Sequence, residues 1–331
     1  MNKPAILITI DTEGDNLWTK PSEITTRNAE YLPRFQELCE KHRFKPTYLC
    51  DWDMVHSPVF REFGLEVLRR GTGEIGAHLH GCNTPPVEYL TESDLTYRPY
   101  VTEYPPHLVR EKVKVLTSEL ENAFGIKMCS HRGGRWGMDE TYARIVAEHG
   151  YRVESTVTPH LSWRKHPGGP TGKGGPDYSR FPEHAYFLDL DALQRPGDSA
   201  LLEIPMTIVE QRWPLPVEAL RRVIGWHATG DRAMRKYFPV HHWFRPDGHN
   251  REEMLKVLKI VLAERRDYVQ FMLHSSEFMP GGSPRFPTAE RIEALYEDME
   301  VVFAEASRDF EGLTLKEYHD RFSAAKIGPS G

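Results

Sequence analysis

Cysteine is scarce in this chain: four among 331 residues, at positions 39, 50, 82 and 129, with no Cys-x-x-Cys pair. That excludes a disulfide framework and a cysteine-built zinc ribbon, and Cys39, Cys50 and Cys129 read as small buried hydrophobes. Long apolar runs are missing too. None approaches the ~18–20 residues of a membrane-spanning helix. The chain begins Met-Asn-Lys-Pro and passes directly into a β-branched run, without a basic segment and an apolar export segment. With unpaired cysteines, this leads us to expect a cytoplasmic protein with no membrane span. Blocks of like charge are also absent. The 42 Lys and Arg are dispersed among 48 Asp and Glu for a net charge of −6, which leaves no electrostatic footprint for nucleic acid.

What is present is an alternation of short apolar runs and amphipathic stretches. Strands are predicted over 5–10, 46–50, 74–80, 128–131, 152–155, 201–204 and 268–274. Helices are predicted near 28–41, from Ser57-Pro58 to Gly71, over 106–124, from Asp139 to Gly150, and over 288–307. Asn250 with Glu253 reads as a capping box opening a helix to Arg266, and Thr314 with Glu317 opens a last short one. About seven βα units without a convincing linker predict an α/β protein, one distorted parallel (β/α)7-type barrel, as a single domain over 1–331. An insertion or lid is expected at about 157–249. It holds a Gly/Pro-rich loop at 157–183 and a stretch at 226–249 mixing Trp226, Tyr237, Phe238 and Trp243 with His227, His241, His242 and His249.

In parallel barrels the active site lies at the C-terminal ends of the strands. Asp11, Glu13, Asp51, Asp53, His78, His80, Arg132 and His274 all fall at or just after such ends. His78 and His80 are two apart, so on an extended strand both leave from one face. Two imidazoles with carboxylates from another strand end suit a divalent metal with nitrogen and oxygen ligands. The bland readings are local. Asp11 and Glu13 could cap a turn, and Asp51 and Asp53 read as loop caps before substrate contacts. Trp136 serves equally as packing or as a flat face for a sugar ring, and the 226–249 stretch as packing before lid.

These motifs resemble those of the polysaccharide deacetylases, the NodB-homology group of carbohydrate esterases. The resemblance covers about the first 140 residues and 272–274. Asp11 and Glu13 match its first motif, as Asp-x-Glu, and His78 matches the first histidine of its second. Arg132-Gly133-Gly134-Arg135-Trp136 is similar to its third, without the usual proline, and Leu273-His274 to its last. The second motif departs in spacing. The family's metal histidines stand four apart, whereas here that position is Cys82 and the second histidine is His80. His80, Cys82 or a water could complete the shell, and imidazole suits a hydrolytic metal best.

The resemblance implies a hydrolase with one divalent metal, Zn²⁺ before Mn²⁺, Fe²⁺, Co²⁺ or Ni²⁺, held by Glu13, His78 and His80. It makes Asp11 the base and His274 the acid, with Glu277 or Glu203 holding His274 charged. Arg132 would orient Asp11 through a bidentate contact, and Trp136 and Asp51 would touch substrate. The implied substrate is an N-acylated (less readily O-acylated) saccharide, and without export machinery an intracellular precursor or lipid-linked sugar. Two competitors remain. One is a metal-independent glycosidase pairing Asp11 with Glu203 across about 5–9.5 Å. The other is a non-catalytic carbohydrate-binding protein on the same barrel.

Overall fold

The protein is described here by a computed structural model covering residues 3–17, 23–166, 174–211, 216 and 240–327. The apolar runs pair side by side in chain order. Strand β1 (Ala5–Thr12) is followed by β2 (Thr47–Cys50), β3 (Glu74–Leu79), β4 (Ser130–Gly133) and β5 (Val153–Glu154), all parallel. Strands β6 (Tyr186–Phe187) and β7 (Leu202–Glu203) finish that edge, β7 parallel to β5 and β6 antiparallel to β7. A hairpin of β8 (Ile208–Glu210) and β9 (His241–Trp243) forms a separate small sheet. Strand β10 (Tyr268–His274) then returns to lie parallel to β1 on its other side. Strand β11 (Glu311–Leu313) pairs with Ala5 to Leu7 of β1, below the stretch that pairs with β2.

The sheet curls until its two ends meet without a ladder. There the Tyr268 hydroxyl donates to the Pro205 carbonyl at 2.7 Å, and the Gln270 N–H donates to Thr207 Oγ1 at 2.8 Å. This is the distorted (β/α) barrel the sequence predicts.

Helices α1 (Leu32–Lys41), α2 (Trp52–Val55), α3 (Pro58–Arg70), α4 (Asp94–Tyr97), α5 (Pro106–Phe124) and α6 (Glu140–Glu148) connect the first strands. Helices α7 (Arg251–Ala263), α8 (Ala289–Asp309) and α9 (Leu315–Ile327) complete the chain. The boundary signals act as read for α3, where Ser57 caps and Gly71 closes at φ 64°. Asp139 caps α6 in the same way. At α9, Thr314 and Glu317 form the expected reciprocal cap.

The Asn250–Glu253 box does not form. Asn250 turns its amide back to the preceding loop, accepting from the Asp247 N–H at 2.9 Å and donating to the Arg245 carbonyl at 2.8 Å. Strands β6 and β7, within the range of the expected insertion, belong to the main sheet. Residues 167–173 of the Gly/Pro-rich loop, and Trp226, His227, Tyr237 and Phe238, lie outside the described residues.

Strand alternation sets up the site. Ile6, Ile8 and Ile10 of β1 pack outward with the helices, as do Ile75, Ala77 and Leu79 of β3 and Val269, Phe271 and Leu273 of β10. The other face of β1 reads Ala5, Leu7, Thr9, Asp11. Ala5 and Leu7 join a second cluster with Leu49, Val153, Leu202, Tyr268 and α9 residues Leu315 and Tyr318. The barrel interior is therefore apolar at the bottom and turns polar towards the C-terminal rim. The same parity places Gly76, His78 and His80 along one line, and Tyr268, Gln270, Met272 and His274 along another.

Candidate metal centre and active site

The inner faces of β1, β3, β4 and β10 bring their polar ends to one place. His80 Nε2 lies 2.8 Å and His78 Nε2 3.5 Å from the same oxygen of Glu13, Oε2. One ligand atom from each of the three residues lies within 4.8 Å of the others, and all three residues are buried. The donor chemistry fits a divalent ion, since ligand bonds of about 2.0–2.2 Å hold neighbouring donor atoms about 3 Å apart. His78 Nδ1 lies 3.1 Å from the Arg132 carbonyl, an acceptor that fixes the proton on Nδ1 and leaves the Nε2 lone pair facing the carboxylates. Burial pushes the Glu13 carboxyl up, but His274, His78 and His80 outweigh it and hold Glu13 well below the usual range.

Behind the triad, Arg132 crosses the barrel interior from β4 to β1, wholly buried. Its Nη1 donates to Asp11 Oδ1 at 2.5 Å, Nη2 to Thr9 Oγ1 at 2.9 Å, and Nε to the Ser155 carbonyl at 2.7 Å. The contact with Asp11 is thus single, not the bidentate pair expected, because the second arm of the fork is held by Thr9 and Ser155. Asp11 keeps Oδ2 for the site, 3.9 Å from both His78 Nε2 and His274 Nε2. Burial would raise its pKa, but Arg132, then His78 and His274, lower it.

His274 faces Asp11 and Glu13 from β10, its Nε2 3.7 Å from Glu13 Oε1. Its Nδ1 lies 3.1 Å from Glu277 Oε2, and Arg245 Nη2 reaches both groups at 3.1 Å. Glu277 is the carboxylate beside His274. Against its burial, Arg245 and His274 hold it down to about 2. Glu203 is not near. It is fully buried in β7, Oε1 accepts from the Val157 N–H at 2.9 Å, and burial and then Glu154 push its pKa well up. The competing glycosidase pairing with Asp11 draws no support from this geometry, because Glu203 is fully buried and does not line the cavity with Asp11.

A cavity of about 470 Å³ opens over these groups, lined by Asp11, Glu13, His78, His80 and His274 and, above them, by Trp136, Tyr100 and Trp163. Trp136 lines this cavity but is 92% covered: its relative exposure is 8%, with the Arg132 guanidinium 5.1 Å from its ring and Trp243 edge-on at 6.1 Å. Asp51 is a correction. Its side chain does not line the cavity; it is fully buried as the cap of α2, accepting from the Met54 N–H at 2.9 Å. Asn83 bridges it to Asp53, donating at 3.2 and 2.6 Å. Cys82 does not join the triad, and burial pushes its thiol up to about 12, far from a ligating thiolate.

Several supports escape sequence reading. Asn28 and Ser275 clamp the Glu13 backbone: Asn28 Nδ2 donates to the Glu13 carbonyl at 2.8 Å and to Ser275 Oγ at 2.7 Å. Gly134 passes so close to His80 that a Cβ there would stand 2.6 Å from its Nδ1. Arg245 carries no local motif. The only available signal for Glu277 was its position three residues after His274.

No family model and no curated protein matches the sequence. Solved structures match in fold. A Mycobacterium smegmatis protein assigned as a polysaccharide deacetylase aligns over 99% of this chain and 93% of its own, with a TM-score of 0.53 and 14% identity. A Parabacteroides distasonis protein assigned as a glycoside hydrolase/deacetylase aligns over 97% and 72%, at 0.61 and 10% identity. The 4-alpha-glucanotransferase of Thermococcus litoralis aligns over 98% of this chain but 41% of its own, at 0.55 and 13% identity. The resemblance to polysaccharide deacetylases thus holds at the level of the fold.

Proposed function

We propose that this chain is a metal-dependent hydrolase that removes an N-acyl group, acetyl first, from a carbohydrate. The carrying observation is the convergence of Glu13, His78 and His80 on one point, with Asp11 Oδ2 and His274 Nε2 on its two sides. Two histidines and one carboxylate suit zinc, and the same set accepts manganese, iron, cobalt or nickel. When bound, the ion supplies acidity to a water and polarisation to the acyl oxygen.

The remaining work belongs to the chain. Asp11 is kept ionised by Arg132, so Oδ2 is ready to accept a proton from the attacking water. Glu277 orients His274 through Nδ1, so that Nε2 faces the site as the group that hands a proton to the departing nitrogen. Trp136, Tyr100 and Trp163 supply apolar faces for a sugar ring above the reacting bond. Four unpaired cysteines suit a reducing, cytoplasmic setting and an intracellular saccharide precursor or lipid-linked sugar.

The test is metal content by mass spectrometry alongside acetate release from acetylated sugars. Wild type is expected to hold one equivalent of a transition metal and to lose activity to chelator. His78→Ala should lose the metal. Asp11→Asn should keep it and lose about 10²–10⁴-fold in kcat. Acetate release that survives chelation would sink the metal-dependent reading, and glycosidic cleavage without acetate release would favour a glycosidase. Sugar binding without acetate release would favour a binding protein.

A further inference from the structure

Besides the metal cluster, the cavity is lined by three arginines from three separate stretches of chain: Arg135 after β4, Arg245 after β9 and Arg285 before α8. Arginine forks match carboxylate and phosphate oxygens, and a neutral sugar has no need of three. Their local partners differ. Arg245 is committed to Glu277 and His274, yet its Nε is buried without a hydrogen-bond partner among the described residues. Arg135 and Arg285 are exposed at the outer end of the cavity, and among the described residues neither forms an ion pair. Arg245 stands beside Arg285 as a like charge, with Glu277 and Asp247 the acidic groups that act on it.

Arg135 is also held at a conformational cost. It stands at φ 54° and Trp136 at φ 62°, both in the left-handed region. The only glycines of that turn, at 133, 134 and 137, fall on other positions. Strain of this kind persists where the placement of a side chain matters. The turn brings the Arg135 guanidinium 5.8 Å from the Tyr100 ring, on the wall of the cavity.

We infer that the substrate is an anionic saccharide whose phosphate or carboxylate is received by Arg135 and Arg285 at the outer end of the cavity. This rests on the deacylase reading only in placing the acyl group at the buried end, beside Glu13 and His78. No group is transferred at the arginines. They select and orient.

The experiment is calorimetric binding to metal-loaded protein of three probes: a neutral methyl glycoside of N-acetylglucosamine, its 1-phosphate, and the corresponding 6-carboxylate. Wild type is expected to bind at least one anion about tenfold or more tighter than the neutral glycoside, as charge-assisted hydrogen bonds do. Which anion wins separates a sugar phosphate from a uronate. The preference should fall about tenfold in Arg135→Gln/Arg285→Gln and return in part in the double lysine variant, which also serves as a folding control. Equal binding of all three probes would overturn the inference. So would a preference that persists in the glutamine variant and vanishes on chelation, since the anion would then sit on the metal. Acetate release is assayed in parallel. Anion preference without release would count against the deacylase reading and leave the arginine site standing.

Discussion

Glu277 carries more than a contact to His274. Its carboxyl is fully buried, receives the His274 N–H at 2.9 Å, and sits against Arg245. Its pKa is held at about 2 in the folded protein against an ordinary 4.5. A depressed carboxylate stabilises the fold above its unfolded value, and that contribution disappears as pH falls through the folded value. At 1.36 kcal/mol per pH unit of difference, the linkage amounts to about 3 kcal/mol, lost between about pH 4.5 and pH 2. In denaturant titrations, Glu277→Gln should therefore trail wild type most above pH 5, with the gap closing towards pH 2. A gap that stays constant across that range would show that packing, and not ionisation, makes the difference. At this scale the sequence was legible where a side chain sits at a strand end on a fixed face, as for Asp11, His78, His80 and His274. Arg245, Asn28 and Ser275 were not legible, because each acts through contacts made by remote segments of chain.

Between β4 and α6, the turn at Gly133–Gly137 connects strand, triad and cavity wall. Gly134 is set against His80, with a Cβ there 2.6 Å from Nδ1 and 2.8 Å from the Leu79 carbonyl. One obstacle is a ring that must stay in place to ligate and the other is backbone, so neither yields cheaply. Gly134→Ala should displace His80 and weaken metal binding by about 10–100-fold, the usual cost of disturbing what orients a ligand. Competition with a chromophoric chelator measures this directly, and an unchanged far-ultraviolet circular dichroism spectrum would show that the barrel persists. Affinity equal to wild type would mean that His80 is not a ligand. The turn also marks where pattern reading of elements fails. Short apolar runs located β1, β3 and β10, and capping residues located α3, α6 and α9. Nothing in Arg135 or Trp136 signals a left-handed backbone, since the demand comes from tertiary placement. Asn250 likewise has the chemistry of a cap, but the Arg245 loop uses its amide instead.

Across the whole molecule, Glu13 stands just past the end of β1, and His78 within and His80 just past the end of β3, with β2 between the two strands. An ion held by these three would join non-adjacent strands over the open rim, on the side where Asn28 and Ser275 tie β1 to β10. The barrel itself closes poorly. Strands β5, β6 and β7 are two residues long, and the seam to β10 rests on single hydrogen bonds such as Tyr268 to Pro205. Strand β6 is too short to show periodicity and was not read from the sequence, whereas β5 and β7 were read at 152–155 and 201–204, and the parallel order of the longer strands followed from alternation with helices. A metal that binds the folded chain stabilises it by mass action, by about 2.7 kcal/mol at a hundredfold excess over Kd. Adding zinc to metal-stripped protein should then raise the melting temperature by several degrees. The same addition should leave Glu13→Gln and His78→Ala unmoved. If both variants gained the same stabilisation as wild type, the ion would be binding elsewhere, and the bridge from β1 to β3 would have no part in holding the rim together.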